Sequence, residues 1–336
     1  MKEPLKQELD RLVKTGIRIP VDVPTDWFSS MAVVKKSNGT IRLCIDPKAL
    51  NQALKRNHYP LPVIDVLLPL LANAKVFSVV DAKNGFWHVQ LDSESSLLTT
   101  FGTPWERFRW TRLPFGISPF PEEFQRKLEC ALEGLDGVKP IFDDILVFGV
   151  GETQEEALSD HDSKLKALIE RCRTKGIKLN KDKLKLRCKE VNFMGHAICQ
   201  DGLKPDPNKV QGIAEMPTPS SKQDVKRLLG MVNYLQTFAS NLSEITVPMR
   251  DLLKDGNQFQ WDEQVQGRSF KQVKEIISVA PVLKFFDPKE EVEIQCDAVE
   301  RFEQCVYGRP VKIQTDHKHL ESIFRKSLHS AEITEV

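Results

Sequence analysis

No apolar run in this 336-residue sequence approaches the ~20 residues that a membrane-spanning helix requires; the longest, residues 60–71 and 141–148, stop well short. Met1-Lys2-Glu3-Pro4 has neither the apolar core nor the small-residue cleavage site of a secretory leader. An intracellular chain is the expectation. No Cys-x-x-Cys pair occurs among Cys44, Cys130, Cys172, Cys188, Cys199, Cys296 and Cys305, an odd and scattered set that argues against a disulfide framework and against a zinc site. They are expected to be buried free thiols. Nor does one charge dominate: 48 Lys and Arg stand against 47 Asp and Glu, so the global balance says nothing for or against a polyanionic partner. Low-complexity tracts and internal repeats are absent, and 40% hydrophobic with 28% charged residues describes a folded chain rather than a disordered one. The length exceeds what one hydrophobic core usually covers, which predicts two or three subdomains.

Charge is nevertheless unevenly spread. Basic residues recur from 164 to 189 (Lys164, Lys166, Arg171, Arg173, Lys175, Lys178, Lys181, Lys183, Lys185, Arg187 and Lys189). Such a stripe is either a solvated helix face followed by a turn or a surface that neutralises phosphates. Leu5, Leu9, Leu12 and Val13 have helical spacing that Gly16 stops, predicting an amphipathic N-terminal helix. Residues 30–45 place two apolar stretches around Asn38-Gly39, the strongest short hairpin signal, and predict two strands with a basic tip. A short helix is expected over 63–71, a buried strand over 76–80 closed by Asp81, and a helix over 122–135. Two short strands, 141–142 and 145–148, flank Asp143-Asp144. Residues 155–175 predict a long amphipathic helix ended by Gly176 in the left-handed conformation. A hairpin and an exposed proline-rich connection follow over 191–210. Pro217 and Pro219 then mark a linker in which Ser220 or Ser221 caps the next helix. Helices are expected over 225–238 and 269–279, and strand-like pieces over 292–295 and 311–314, each followed closely by aspartate.

Adjacent carboxylates between apolar strands are unfavourable as pure structure, because like charges repel and burial penalises both. A lone Asp-Asp is more often a turn or a cap. As chemistry, the pair asks for a cation, and a few carboxylate oxygens completed by water and phosphate describe a magnesium site. With Asp81 as a third ligand, two ions about 3.5 to 4 Å apart would activate a hydroxyl and stabilise a leaving pyrophosphate. That reaction is nucleotidyl transfer.

Further stretches surround these aspartates: Asn38-Gly39-Thr40-Ile41-Arg42-Leu43-Cys44-Ile45-Asp46 with Leu50-Asn51, Tyr59-Pro60-Leu61-Pro62, residues 77–86, Leu113-Pro114-Phe115-Gly116, Phe124-Gln125-Arg126, residues 142–148 and Phe193-Met194-Gly195-His196. In order and spacing they resemble the reverse transcriptases of gypsy-type LTR retrotransposons and, more distantly, of retroviruses, across residues 1–290. The resemblance implies an RNA-directed DNA polymerase of the Pol polyprotein type of a transposable element, cytoplasmic (in a retroelement particle) or nuclear. Its partners would be an RNA or DNA template with primer and deoxynucleoside triphosphates, and its cofactors two Mg²⁺ ions, with Mn²⁺ as a substitute. By the same resemblance, Asp81, Asp143 and Asp144 are the catalytic metal-binding carboxylates. Phe86 is an aromatic gate against a ribose 2′-hydroxyl. Arg42 with Lys35 or Lys36 clamps the triphosphate, Phe115 and Gly116 floor the nucleotide pocket, and Met194, Gly195 and His196 form a primer grip. Each has a plainer alternative: core aromatics for Phe86 and Phe115, a polar hairpin tip for the lysines, a surface histidine for His196.

The implied fold class is α+β, a right-hand polymerase of fingers, palm and thumb/connection followed by a partial ribonuclease H-like α/β remnant. Its expected divisions are an N-terminal helix (1–20), fingers and palm (20–200), thumb/connection helices (200–255) and a truncated ribonuclease H-like region (256–336). Four departures from the family pattern stand out. Phe142 precedes the acidic pair where tyrosine is common, a change that keeps the ring. Glu106 stands where a glycine is usual and would store ~1 to 3 kcal/mol if that glycine had positive φ. Phe120 replaces a small alanine and would cost ~1 to 3 kcal/mol if it overpacks. Lastly, Glu293-Ile294-Gln295-Cys296-Asp297 resembles the opening of a ribonuclease H fold and Thr315-Asp316 a later acidic strand, with several dozen residues missing between them. Only Asp297 and Asp316 of that site remain, so ribonuclease H activity is expected to be absent. The alternative for the whole chain is a catalytically impaired, nucleic-acid-binding remnant.

Overall fold

Helix α1 (Lys2–Lys14) buries Leu9 and Leu12 and leaves its charged face in water. The computed structural model describes residues 2–35, 39–239, 241–254, 256–279 and 281–285, with the backbone of three short strands near the C-terminus. After α1 the chain runs through β1 (Arg18–Pro20) and the hairpin of β2 (Ser30–Lys35) with β3 (Ile41–Asp46). The hairpin pairs from Ser30 opposite Asp46 to Lys35 opposite Ile41, as its apolar pattern predicts. Lys36 and Asn38 at its tip lie outside the described residues. Then come α2 (Lys48–Ala53), α3 (Ile64–Leu67) with a 3₁₀ turn to Leu71, β4 (Ala74–Ala82), α4 (Ser93–Leu98), β5 (Phe101–Gly102) and β6 (Arg107–Trp110). Strands β1, β6 and β5 form one small sheet. Leu9 and Leu12 pack against Leu43, Ile45, Phe101, Phe108 and Trp110 in a core of their own. Arg18 is fully buried there; its Nε donates to Leu9 O at 2.9 Å and its guanidinium lies 3.6 Å from the centre of the Phe108 ring.

The next elements are α5 (Phe120–Leu132), β7 (Val138–Ile141), β8 (Asp144–Val150), α6 (Gln154–Lys175) and β9 (Leu179–Cys188). They build an antiparallel sheet in the order β7-β8-β4-β9. Phe77, Val79 and Asp81 of β4 lie opposite Phe148, Leu146 and Asp144 of β8. Side chains alternate across a strand, so this register sorts the sheet into two faces. Val80, Ile145 and Val147 pack with Phe124 and Leu128 of α5 and Leu168 of α6, while Phe77, Val79, Leu146 and Phe148 join a different core. Helix α6 begins with a Thr153–Glu156 capping box and ends at Gly176 with φ +69°, the left-handed stop its sequence predicts.

Strand β9 was not expected. Its Lys183-Leu184-Lys185-Leu186-Arg187 alternates with strand period, but the charge density suggested a turn. The meander β10 (Glu190–Phe193), β11 (His196–Cys199), β12 (Gly202–Pro205) follows, and then α7 (Pro207–Ala214) occupies the expected exposed connection. Its proline sits in the first turn behind an Asp206 cap, where a missing N–H loses nothing. Ser221 caps α8 (Lys222–Tyr234), and α9 (Leu242–Ile245), α10 (Val247–Asp251) and α11 (Arg268–Ser278) complete the helices among the described residues. The meander and these helices bury Val191, Phe193, Leu228, Val232, Phe270 and Ile277 against Phe77 and Val79. Packing is therefore continuous across residue 256, where the sequence suggested a new region. Beyond it, β13 (Glu293–Gln295), β14 (Lys312–Thr315) and β15 (Glu332–Glu335) pair in parallel. Asp297 and Asp316 lie outside the described residues.

Three smaller expectations need correction. Glu106 is not among the residues with positive φ; it closes a turn in which its N–H donates to Thr103 Oγ1 at 3.1 Å and Thr103 N–H to its carbonyl at 3.0 Å. Such a turn needs no left-handed residue. Phe120 is half-buried, packed between two cores rather than enclosed by either, which leaves its ring room. Of the described cysteines, Cys172 and Cys199 are buried, but Cys130 is exposed. Among the described residues no helix is long and apolar enough to cross a membrane.

Phe77 is fully buried where the palm-like sheet meets the helices that follow it. Phe77→Ala should lower the unfolding free energy by about 3–5 kcal/mol in a urea titration; a loss under about 1 kcal/mol would show that the two layers do not share this core.

Candidate active site

The β4–β8 register puts Asp81 opposite Asp144 at one end of the sheet, with Asp143 in the turn before β8. That turn is tightly held. Phe142 adopts φ +50°, and its N–H donates to Gln125 Oε1 at 2.7 Å, while Gln125 Nε2, fully buried on α5, donates to Pro140 O at 2.8 Å. Ala82 N–H donates to Asp143 O at 2.6 Å, tying the turn to β4. Gly85 closes over the carboxylate: a Cβ there would stand 2.0 Å from Asp143 Oδ1 and 2.8 Å from Phe124 Cζ. Only glycine fits that approach.

Negative charge is in excess here. Burial, then the charges of Asp81 and Asp144, push the Asp143 carboxyl up to about 6. Burial, then Asp81, also raises Asp144. Asp143 Oδ1 is buried without a hydrogen-bond partner. Asp81, 8% exposed, accepts from Lys183 Nζ at 2.5 Å and from Asn180 Nδ2 at 3.2 Å, both on β9. That contact raises the Lys183 pKa. Neither β9 residue was singled out by the sequence, in which Lys183 is one basic residue of eleven in a stripe. Among the described residues no three acidic, histidine or cysteine side chains already stand as a metal-ligand set. The donor chemistry still suits a divalent cation. Three carboxylates share one strand end, one oxygen is orphaned, and the cation now on Asp81 belongs to a side chain that is 65% exposed and able to withdraw.

The other predicted residues fall into two groups. The Phe86 ring lies 4.9 Å from Phe115 and 5.3 Å from Phe124. Arg42, opposite Val34 in the hairpin, sets its guanidinium 4.6 Å from the Phe115 ring centre and helps to lower Asp143 against the larger raising effects. Gly116 has φ +115°; Asn51 Nδ2 donates to its carbonyl at 2.9 Å and Asn51 Oδ1 accepts from Ser118 N–H at 2.9 Å. Phe86, Phe115, Gly116 and Arg42 thus adjoin the carboxylates in one surface. Lys35 is exposed at the end of β2, and Lys36 lies outside the described residues. Met194, Gly195 and His196 form the second group, at the β10–β11 turn, with His196 buried at 7% exposure and lowered in pKa mainly by that burial.

Residues 33–198 match the family model described as reverse transcriptase (RNA-dependent DNA polymerase). It is 29% identical over 281 residues to the retrovirus-related Pol polyprotein from transposon 297 of Drosophila melanogaster, covering 83% of this chain and 26% of that one. It is 30% identical over 305 residues to the enzymatic polyprotein of Figwort mosaic virus (strain DxS), covering 90% and 45%. The chain thus spans less than half the length of these relatives, and their similar identities do not single out the gypsy type. A foamy viral protease-reverse transcriptase in complex with double-stranded DNA has the same fold, with TM-score 0.85 at 20% identity over 100% of this chain and 69% of that one. A second foamy viral structure, with an RNA/DNA hybrid, gives TM-score 0.80 at 19% identity, covering 99% and 53%. The α+β polymerase fold is therefore established.

A carboxyl whose folded pKa lies above its unfolded value contributes most stability when protonated, and that contribution is lost as pH rises through about 6. Asn cannot ionise. Asp143→Asn should be more stable than wild type near pH 8 without divalent cations, by roughly 1 to 2 kcal/mol after solvent screening, and the gap should be about halved near pH 5 and close only below the unfolded value of 3.8. Thermal unfolding at the two pH values checks this, and a destabilised variant near pH 8 would contradict it.

Proposed function

From the match of residues 33–198 to the reverse transcriptase family model, we propose that the chain is an RNA-directed DNA polymerase extending a primer on an RNA or DNA template with deoxynucleoside triphosphates. The observation that carries this reading is Asp81 opposite Asp144, with Asp143 unpartnered beside them at the open end of the sheet. Asp81, Asp143 and Asp144 would hold two divalent cations, magnesium or manganese, whose chemistry is to acidify a primer 3′-hydroxyl and to stabilise a leaving pyrophosphate. The protein's own contribution is position. Gln125 and Gly85 hold the Asp143 turn, Arg42 offers a fork of donors to the triphosphate, with Lys35 or Lys36 as a second cation, and the Phe115–Gly116 segment floors the pocket. Phe86, wedged between Phe115 and Phe124, has no freedom to yield to a 2′-hydroxyl. The Met194–Gly195 turn with His196 would set the primer end.

The test is primer extension on an RNA template with Mg²⁺. Wild type should extend, and Asp143→Asn or Asp81→Asn should lose on the order of a thousandfold or more, the scale set by removing electrostatic stabilisation of a transition state. Equal silence of a folded wild type and its variant would sink the enzyme reading. One observation favours the second reading, a remnant that binds nucleic acid without catalysis: Lys183 holds Asp81. That reading predicts salt-dependent binding of primer–template with no extension.

The C-terminal region we read as a ribonuclease H remnant. The parallel pairing of β13 with β14 supports the reading, since each strand leads to one of Asp297 and Asp316. Two carboxylates are too few for a two-ion site, so the purified chain should not cut the RNA strand of a hybrid. Cleavage that disappears in Asp297→Asn would overturn this.

A further inference from the structure

We propose that Lys209 binds a primer phosphodiester at the Met194–Gly195 turn, and that the Tyr234 ring holds it there; this rests on the polymerase reading above. Met194 and Gly195 have φ +51° and +77° between Phe193 and His196, which pair directly. Two left-handed residues in succession make the tight hairpin turn whose twist suits its strands. The turn is braced from the helices behind it. Tyr234 of α8 donates its hydroxyl to Met194 O at 3.4 Å and packs its ring 4.8 Å from His196, and His196 Nδ1 donates to the same carbonyl at 3.1 Å. Burial pushes the Tyr234 hydroxyl up to about 12, so it remains a donor at neutral pH.

Lys209, in the first turn of α7, places its ammonium 3.1 Å from the centre of the Tyr234 ring. A Cβ on Gly195 would come within 2.7 Å of Lys209 Nζ and 2.8 Å of the Tyr234 hydroxyl. The cation and the hydroxyl therefore both stand against the bare Cα of Gly195. Among the described residues Lys209 has no carboxylate within ion-pair distance, unlike Lys204 nearby, which is bridged to Glu190 at 3.1 Å. A half-buried ammonium resting on an aromatic face is fixed in position but not neutralised. What it lacks is an anion. The meander packs on the same face of β4 that carries Asp81, through Phe77 and Val79. A strand whose 3′ end reached the carboxylates would present its phosphodiesters on that side. The ligand class is thus a nucleic-acid backbone phosphate, recognised without regard to base.

The experiment is binding of a recessed-end primer–template as a function of salt, paired with steady-state extension. Lys209→Gln should flatten the slope of log affinity against log salt by about one and raise KM for primer–template roughly tenfold with little change in kcat. Lys209→Arg should restore the slope, which a purely structural role for the side chain would not predict. Lys204→Gln serves as the control and should behave as wild type. Tyr234→Leu should raise KM as Lys209→Gln does, because the ammonium loses its seat, whereas Tyr234→Phe keeps the ring and most of the effect. A folded Lys209→Gln with wild-type slope and KM, in an enzyme that still extends, would overturn this inference alone. A folded wild type that neither binds nor extends primer–template would remove the polymerase reading and the inference with it.

Discussion

The antiparallel register of β4 on β8 is the constraint from which the rest follows. It sets Asp81 against Asp144, and the two apolar pairs behind them, Val79 with Leu146 and Phe77 with Phe148, keep that match in place. Both faces of the sheet are covered, one by α5 and α6, the other by the meander and the later helices. A slip of β4 by one residue would turn Asp81 toward the helices and away from Asp144, and bring Val80 to the opposite layer. Two separate cores thus enforce one arrangement of charge. The site needs no local motif of its own beyond the turn that delivers Asp143.

That turn shows how repulsion is contained. Three carboxylates near one another would relax apart if their backbones could move. Gln125, Gly85 and the Ala82–Asp143 hydrogen bond prevent it, and Lys183 takes up part of the charge from β9. Burial, and after it the residual repulsion, raises the carboxyl pKa values of Asp143 and Asp144, and one Asp143 oxygen is left unpartnered. A site organised this way carries the charge excess that the proposed cations would neutralise.

Much of this was legible in the sequence where a physical signal is local. The Asn38-Gly39 hairpin, the Ser221 cap, the left-handed Gly176 stop and the apolar strand closing on Asp81 each depend on a few neighbouring residues, and each appears. What could not be read depends on distance along the chain. Gln125 matters because α5 passes beneath a turn 17 residues later; nothing in Phe124-Gln125-Arg126 shows it. Lys183 is one cation among many until β9 folds against β4. Strand β9 itself hid behind charge, and α7 behind a proline that marks a helix start as readily as a loop. At Glu106 the conditional strain does not arise, because the turn it closes uses no left-handed residue at that position.

Strand β9 forms the outer edge of the palm-like sheet, and an uncovered edge offers its free backbone donors and acceptors to any other strand. From Lys181 to Arg187 every residue is exposed, including Leu184 and Leu186, which would ordinarily invite edge-to-edge growth. Interleaved among those leucines are Lys181, Lys183, Lys185 and Arg187. Two copies laid antiparallel along this edge would bring those charges into one row, where like charges facing one another disfavour pairing. The same basic stripe that suits a polyanion therefore also disfavours edge-to-edge pairing of this strand with its like.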